Sequence, residues 1–415
     1  MIVESATLGL MTYIYYRWTN KDYYRYKFLI NDISNKNNIF KNSNDDNIKF
    51  IDYRKTSYSD RLIIDISKII GYEKLESQKD YLKSYFNTKD ITFKKLENGN
   101  IQIDLIKSKI LKGAYEPVNQ QPYELLVGYN HEGNPILINF NSFPHMLIGG
   151  DSGTGKSRFL LMALSNLIAK CNIDLYLLQI RKSDLIVFKD CRQCKYITRD
   201  LKQTKKLLKY LNDLCIKRDK TIETYTISKG IYNIEDYNRY FKYNNMKYSY
   251  IVLDEFSFFN PNGADKKEVK QLKKEILGYI KNIVMVGRSI GVFIITSLQK
   301  PTNSSIPSDI KSQLTTRVCF KMLDESTSIQ ILGNGKAEKL EKRECIVRTL
   351  GEEIRNIAYI DHKIIMKAIN NRIESNKRYI DIFDSGSITK DKKEPIKVNN
   401  DGIINLEVFK NVINK

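Results

Sequence analysis

The chain has 415 residues, with 68 Lys and Arg against 48 Asp and Glu and a formal net charge of +20. That length is enough for two or three domains and excludes a small binding module, while the positive field favours polyanions, nucleic acid first and an anionic lipid surface second. The six cysteines (Cys171, Cys191, Cys194, Cys215, Cys319 and Cys345) are scattered, which excludes a disulfide framework and points to a reducing cytosol.

Residues 1–50 form a basic, aromatic segment. Within it, residues 6–18 are apolar and aromatic and are followed by Lys21, Arg25 and Lys27. This pattern fits half a membrane span, an interfacial anchor or an ordinary docked helix, and no run reaches the roughly 18 apolar residues of a full span. Turn formers crowd residues 35–47 and predict a linker. Residues 51–140 are expected to make a small α/β accessory domain, with helical spacing over 75–86. One hairpin there is expected to pair 91–93 with 101–105, and a second to pair 125–127 with 136–138.

Residues 141–365 carry the chemistry. Gly150, Asp151, Ser152, Gly153, Thr154, Gly155, Lys156 and Ser157 fill every fixed position of a phosphate-cradling loop. The strand-like run Met146, Leu147, Ile148 precedes it, and a helical run over 158–164 follows it. Glycines let successive N–H groups converge on phosphate oxygens, and the positive end of the helix faces the same anion. Lys156 is expected on the β- and γ-phosphates, and Ser157 offers its hydroxyl to Mg2+.

Apolar runs recur at 175–178, 250–253, 292–295, 317–320 and 345–348, separated by longer helical or mixed stretches. They predict a largely parallel sheet buried by helices on both faces, with the loop at a strand's carboxyl end. The run 250–253 delivers Asp254 and Glu255. Neighbouring positions on a strand point apart, so Asp254 is read as the metal ligand and Glu255 as the residue that orients the attacking water. Gln299 ends the run 292–298 and is placed to sense the γ-phosphate. Arg288 and Arg317 flank that run, each a candidate to complete a neighbouring subunit's site, with an ordinary surface cation as the alternative. Cys191 and Cys194 form a lone CxxC without a second pair at zinc-ribbon spacing, so a metal or redox role stands beside two ordinary thiols. Residues 366–415 read as a polar, Lys-rich tail.

Residues 287–301 (GRSIGVFIITSLQKP), 310–318 (IKSQLTTRV) and 331–333 (ILG) together resemble the motifs that follow the carboxylate strand in the FtsK/SpoIIIE DNA translocases. Residues 144–150 (PHMLIGG) and 230–238 (GIYNIEDYN) are similar to the same family. The resemblance covers about 140–350. It implies a RecA-like P-loop NTPase motor with ATP and Mg2+ as cofactors. It further implies a homo-oligomeric ring, usually a hexamer, around double-stranded DNA, whose phosphates Lys and Arg would grip without reading sequence.

The accessory hairpins and basic N-terminus are most similar to the TcpA-like coupling ATPases of conjugative plasmids and integrative elements. That subgroup implies relaxase or secretion-channel partners and a cytoplasmic location at the inner face of the membrane. Two stretches depart from the family pattern: Gln179-Ile180-Arg181 stands where Asp-Pro-Lys is common, and Lys300 where Arg often follows the Gln. The alternatives are a chromosome-segregation or DNA-packaging motor, a membrane-associated nucleotide switch that moves no DNA, and a single-strand repair or replication factor, which would need aromatic platforms beside a basic groove.

Overall fold

The computed structural model describes residues 16–17, 19–36, 40, 47–56, 59–66, 71–107, 113–130, 133–180, 183–299, 301–302, 305–375 and 377–380. Most of the apolar segment 6–18, much of the linker 35–47, and Arg181, Lys300 and the tail beyond 380 lie outside the described residues. The chain divides into two compact units: 1–139 with 149–170 and 317–370, and 140–148 with 171–316 and 371–415.

The first unit begins with helix α1 (Lys21–Lys36), whose Tyr26, Ile30 and Ile33 are buried, and strands β1 (Lys49–Lys55) and β2 (Ser59–Asp65). Helices α2 (Tyr72–Ser77) and α3 (Lys79–Tyr85) replace the single helix expected over 75–86, because the backbone breaks at Gln78. The first expected hairpin forms from β3 (Asp90–Lys95) and β4 (Ile101–Ile106), giving an antiparallel sheet in the order β1-β2-β4-β3. Leu62, Ile64, Ile91, Ile103 and Leu105 line its core together with α1. Asp60, fully buried, accepts hydrogen bonds from the Tyr26 and Tyr53 hydroxyls and pairs with Lys107. Burial alone would raise this carboxyl, but those three donors hold it below the ordinary value.

The second hairpin also forms, from β5 (Glu124–Tyr129) and β6 (Pro135–Asn139). Along the chain there follow β7 (Met146–Gly149), α4 (Lys156–Lys170), β8 (Asp174–Leu178), β9 (Cys194–Thr198), α5 (Leu201–Lys229) and α6 (Ile234–Tyr240). Then come β10 (Ser249–Leu253), α7 (Lys267–Ile290), β11 (Val292–Leu298), α8 (Ser308–Gln313), β12 (Thr316–Phe320) and α9 (Glu325–Leu332), and last β13 (Glu344–Arg348), β14 (Glu352–Asn356) and α10 (His362–Ile369).

In the first unit the β5–β6 hairpin is joined to β14, not to the accessory sheet, and β14, β13 and β12 continue antiparallel. Gly128 permits this approach. It has φ +129°, and a Cβ there would stand 2.9 Å from the Asn356 carbonyl oxygen. Helix α4 packs on β5 and α10.

The second unit holds the parallel part of the fold, in the order β7-β11-β10-β8-β9. β10 runs parallel to both β11 and β8, and β8 parallel to β9. Every residue of β10 and β11 is buried, as expected for central parallel strands with both faces covered. Helices α5 and α7 pack on each other. α5 starts where the Asp200 carboxylate accepts the Gln203 N–H at 2.8 Å, and it ends at left-handed Gly230. Among the described residues no helix is long and apolar enough to cross a membrane.

Candidate nucleotide site

The phosphate loop lies in the first unit and is fastened at several points. Asp151 N–H donates to the Lys321 carbonyl at 3.2 Å, and the Asp151 carboxylate accepts the Leu323 N–H at 2.6 Å. The Thr154 hydroxyl donates to the Asp151 carbonyl at 2.7 Å, and the Thr154 carbonyl accepts the Arg343 N–H at 3.2 Å. Gly153 and Gly155 have φ of +80° and +130°. Gly150 could not carry a side chain, since its Cβ would stand 2.7 Å from the Cβ of Phe320. Glycine is therefore required by both backbone conformation and space.

Lys156 is buried, and its ammonium curls back to donate to the Gly150 carbonyl at 3.0 Å. An anion seated in the loop can take over that donor at little cost, because the lysine is already held against the cradle. Ser157 is exposed at the first turn of α4, and this turn contains no acidic residue to compete for the helix's positive end.

The carboxylates lie in the second unit at the end of β10. Asp254 N–H donates to the Leu178 carbonyl at 3.1 Å, and the Asp254 carbonyl accepts from the Ser297 hydroxyl. The Asp254 side chain is partly exposed, whereas Glu255 is buried. Glu255 accepts the Ser257 hydroxyl at 2.9 Å on Oε1 and the Gln299 backbone N–H at 3.1 Å on Oε2. The structure thus brings Asp254, Glu255 and Gln299 together, with β11 standing between β10 and β7, the strand that leads into the loop. Ser157 in the first unit and Asp254 in the second each carry a hard oxygen donor of the kind that suits Mg2+.

Cys191 and Cys194 are fully buried, and burial pushes both thiols up to about 12, away from the thiolate that metal or redox chemistry needs. No group of three or more metal-ligating side chains occurs among the described residues.

Residues 108–355, well over half of the chain, match the family model described as FtsK/SpoIIIE family. The chain belongs to the FtsK/SpoIIIE family. Its phosphate loop therefore sits in the ATPase domain of that family. "DNA translocase FtsK" of Staphylococcus epidermidis is 26% identical over 253 residues, covering 57% of this chain and 30% of that protein. The chain therefore spans only about 30% of the length of the curated relatives it matches. Among solved structures, the monomer form of the pCW3 conjugation coupling protein TcpA with ATPγS has a TM-score of 0.58 at 20% identity, covering 84% of this chain and 98% of that one. The cytoplasmic domain of the Thermomonospora curvata type VII secretion ATPase EccC has a TM-score of 0.52 at 17% identity, covering 65% and 33%. These likenesses establish the RecA-like P-loop fold, with its parallel strands in the second unit and an antiparallel extension in the first.

In this FtsK/SpoIIIE chain the two candidate arginines are placed differently. Arg288 is exposed, and its Nε donates to the Asn141 carbonyl at 2.8 Å. Arg317 is half-buried and donates to the Ile331 carbonyl at 3.0 Å, where α9 ends; Arg348 donates to Leu332 beside it. Burial, and then Arg348, lower the Arg317 pKa.

His145 is enclosed. Its Nδ1 accepts the Ile294 N–H at 2.9 Å, so Nε2 carries the proton and donates to the Val284 carbonyl at 3.0 Å. Two further residues matter here: Gln179, which the sequence marks only as a departure from the family pattern, and Arg343, which no motif singles out. Gln179 is buried at the end of β8, with its side-chain oxygen unpaired. Arg343 adopts φ +69° against the phosphate loop, and only the general rarity of that conformation outside glycine marks it, which no spacing pattern reveals.

Proposed function

We propose that this chain hydrolyses ATP with Mg2+ and uses the cycle to drive double-stranded DNA, as the coupling ATPase of a conjugative plasmid or integrative element. The observation that carries this reading is the complete, fastened phosphate loop with Lys156 curled into it, within a family-matched ATPase domain. Gly150, Asp151, Ser152, Gly153, Thr154, Gly155 and Lys156 hold the phosphates, and Ser157 and Asp254 hold the metal, which shields phosphate charge when bound. Glu255 orients water, and Gln299, tied to Glu255 through its backbone, relays the state of the γ-phosphate. The exposed guanidinium of Arg288 makes it the favoured residue to complete a neighbouring copy's site, ahead of Arg317, which is engaged at the end of α9.

The DNA substrate is supported by the net charge of +20 and by relatives named DNA translocases. The conjugative role is supported by the fold likeness to TcpA along nearly all of that protein. On this reading the working form is a hexameric ring at the inner face of the membrane, with relaxase or secretion-channel partners.

The test is steady-state ATP hydrolysis by the purified chain alone, with linear duplex and with single-stranded DNA, using Lys156→Ala as the blank. Duplex stimulation is expected. Hydrolysis indifferent to DNA would overturn the translocase reading in favour of a nucleotide switch, and preference for single strands would favour a repair or transfer role on that substrate.

A further inference from the structure

The loop's contacts place one exposed side-chain pair beside the phosphate cradle. Arg343 donates its backbone N–H to Thr154, and its carbonyl accepts the Ile357 N–H at 3.0 Å. These two bonds hold it in the left-handed region, with its Cα 3.6 Å from where a Gly155 Cβ would stand. Such a conformation at a non-glycine residue persists only where its surroundings enforce it. The exposed guanidinium of Arg343 lies 5.3 Å from the centre of the Tyr359 ring, which is itself 45% exposed.

Tyr359 is fixed as well. Its carbonyl accepts the Tyr115 N–H at 2.8 Å, and its N–H donates to the Gly113 carbonyl at 3.3 Å. The next carbonyl, that of Ile360, accepts from the Arg158 side chain at 2.9 Å, and Arg158 follows Ser157 on the first turn of α4. In a loop of this kind the lysine reaches the terminal phosphates and the backbone amides hold those nearer the sugar. On the nucleotide reading the nucleoside would leave past the helix start, where Arg158 ties down the segment that carries Tyr359.

We propose that Arg343 and Tyr359 form the platform that receives the base of the bound nucleotide, a purine by preference. The ring offers a flat π-face, and the guanidinium offers a second planar surface with a positive charge near the innermost phosphate. A purine covers more of this surface than a pyrimidine. The proposal rests on the nucleotide reading above and adds a determinant of which nucleotide is held.

Competition binding of Mg-ATP, Mg-CTP and inorganic tripolyphosphate to the full chain tests it. Tyr359→Ala and Arg343→Gly, the latter keeping the left-handed backbone without strain, should each weaken ATP by about tenfold. Tripolyphosphate should stay within about twofold, the ATP over CTP preference should shrink, and Tyr359→Phe should bind ATP as the parent does. The proposal is overturned if both variants keep ATP affinity within about twofold. It is equally overturned if tripolyphosphate weakens in step with ATP, since the pair would then only shape the loop. Failure of the unaltered chain to bind either ligand would instead remove the nucleotide site itself, and Lys156→Ala should lose both ligands.

Discussion

Replacing Glu255 by glutamine separates chemistry from architecture, because the structure predicts opposite consequences for the two. Both carboxylate oxygens are committed, one to Ser257 and one to the Gln299 backbone. A glutamine can keep its oxygen on the Gln299 N–H and point its amide at Ser257, whose hydroxyl turns round to accept. Two charge-assisted hydrogen bonds become neutral ones, a loss of about 1–2 kcal/mol that is partly offset because no charge is buried. If Glu255 orients or deprotonates water, its removal should cost about 10²–10⁴ in turnover, or roughly 3–5 kcal/mol in the barrier. Phosphate release at saturating Mg-ATP with linear duplex should therefore fall at least about a hundredfold. ATP affinity should stay within about threefold and the melting temperature within a few degrees. Turnover within about tenfold of the parent, with the fold intact, would refute the assignment of Glu255. A lowered melting temperature with proportionate loss of ATP binding would show that the residue acts by holding the β10–β11 ends together.

Other outcomes follow from the packing. Gly287→Ala would put a Cβ 2.2 Å from the Val292 carbonyl oxygen and 2.8 Å from His145 Cε1, forcing α7 off β11; urea unfolding should show a loss of about 3 kcal/mol or more. Burial pushes the His145 pKa down to about 4, against about 6.5 when unfolded, so the unfolded chain takes up a proton first as pH falls. Stability should therefore drop between pH 6.5 and about 4 by roughly 3 kcal/mol and level off below, and an unchanged slope in His145→Gln would refute this source. Mixed with parent chain, Arg288→Ala should depress hydrolysis by more than its mole fraction, and a strictly proportional decline would exclude a role in a neighbour's site. Arg317→Ala should decline proportionally and lose about 1 kcal/mol of stability on denaturant titration, through the lost bond to Ile331.

What the sequence disclosed was whatever local spacing determines. The phosphate loop is legible because its backbone admits only glycine at a few fixed positions, and β8, β10 and β11 because buried parallel strands are continuous apolar runs. The same apolar signal recovered β12 and β13 but not their direction, since burial of both faces does not say which way a strand runs. Pairing of β13 with β14 and of β14 with the β5–β6 hairpin decides that, and β14 (EEIRN) has too little apolar character to be seen. Strand β1 (KFIDYRK) is hidden likewise, as half its residues face water. The CxxC spacing alone does not distinguish reactive from ordinary thiols; the burial that raises both pKa values is a property of the fold.

Gln179 shows how a departure from the family pattern acquires meaning only in three dimensions. It follows β8, whose Leu178 pairs in register with Leu253, so the next step along each strand places Gln179 beside Asp254. An aspartate at 179 would set a second carboxylate against Asp254 in a poorly hydrated place, where like charges raise each other's pKa. Glutamine keeps the oxygen acceptor and removes the repulsion. Its side-chain oxygen is nonetheless buried and unpaired, an arrangement that ordinarily costs on the order of 1–3 kcal/mol. Such a cost at the end of a central strand, one register step from the metal-binding candidate, is what a site would carry if that oxygen acquires its partner only with ligand present.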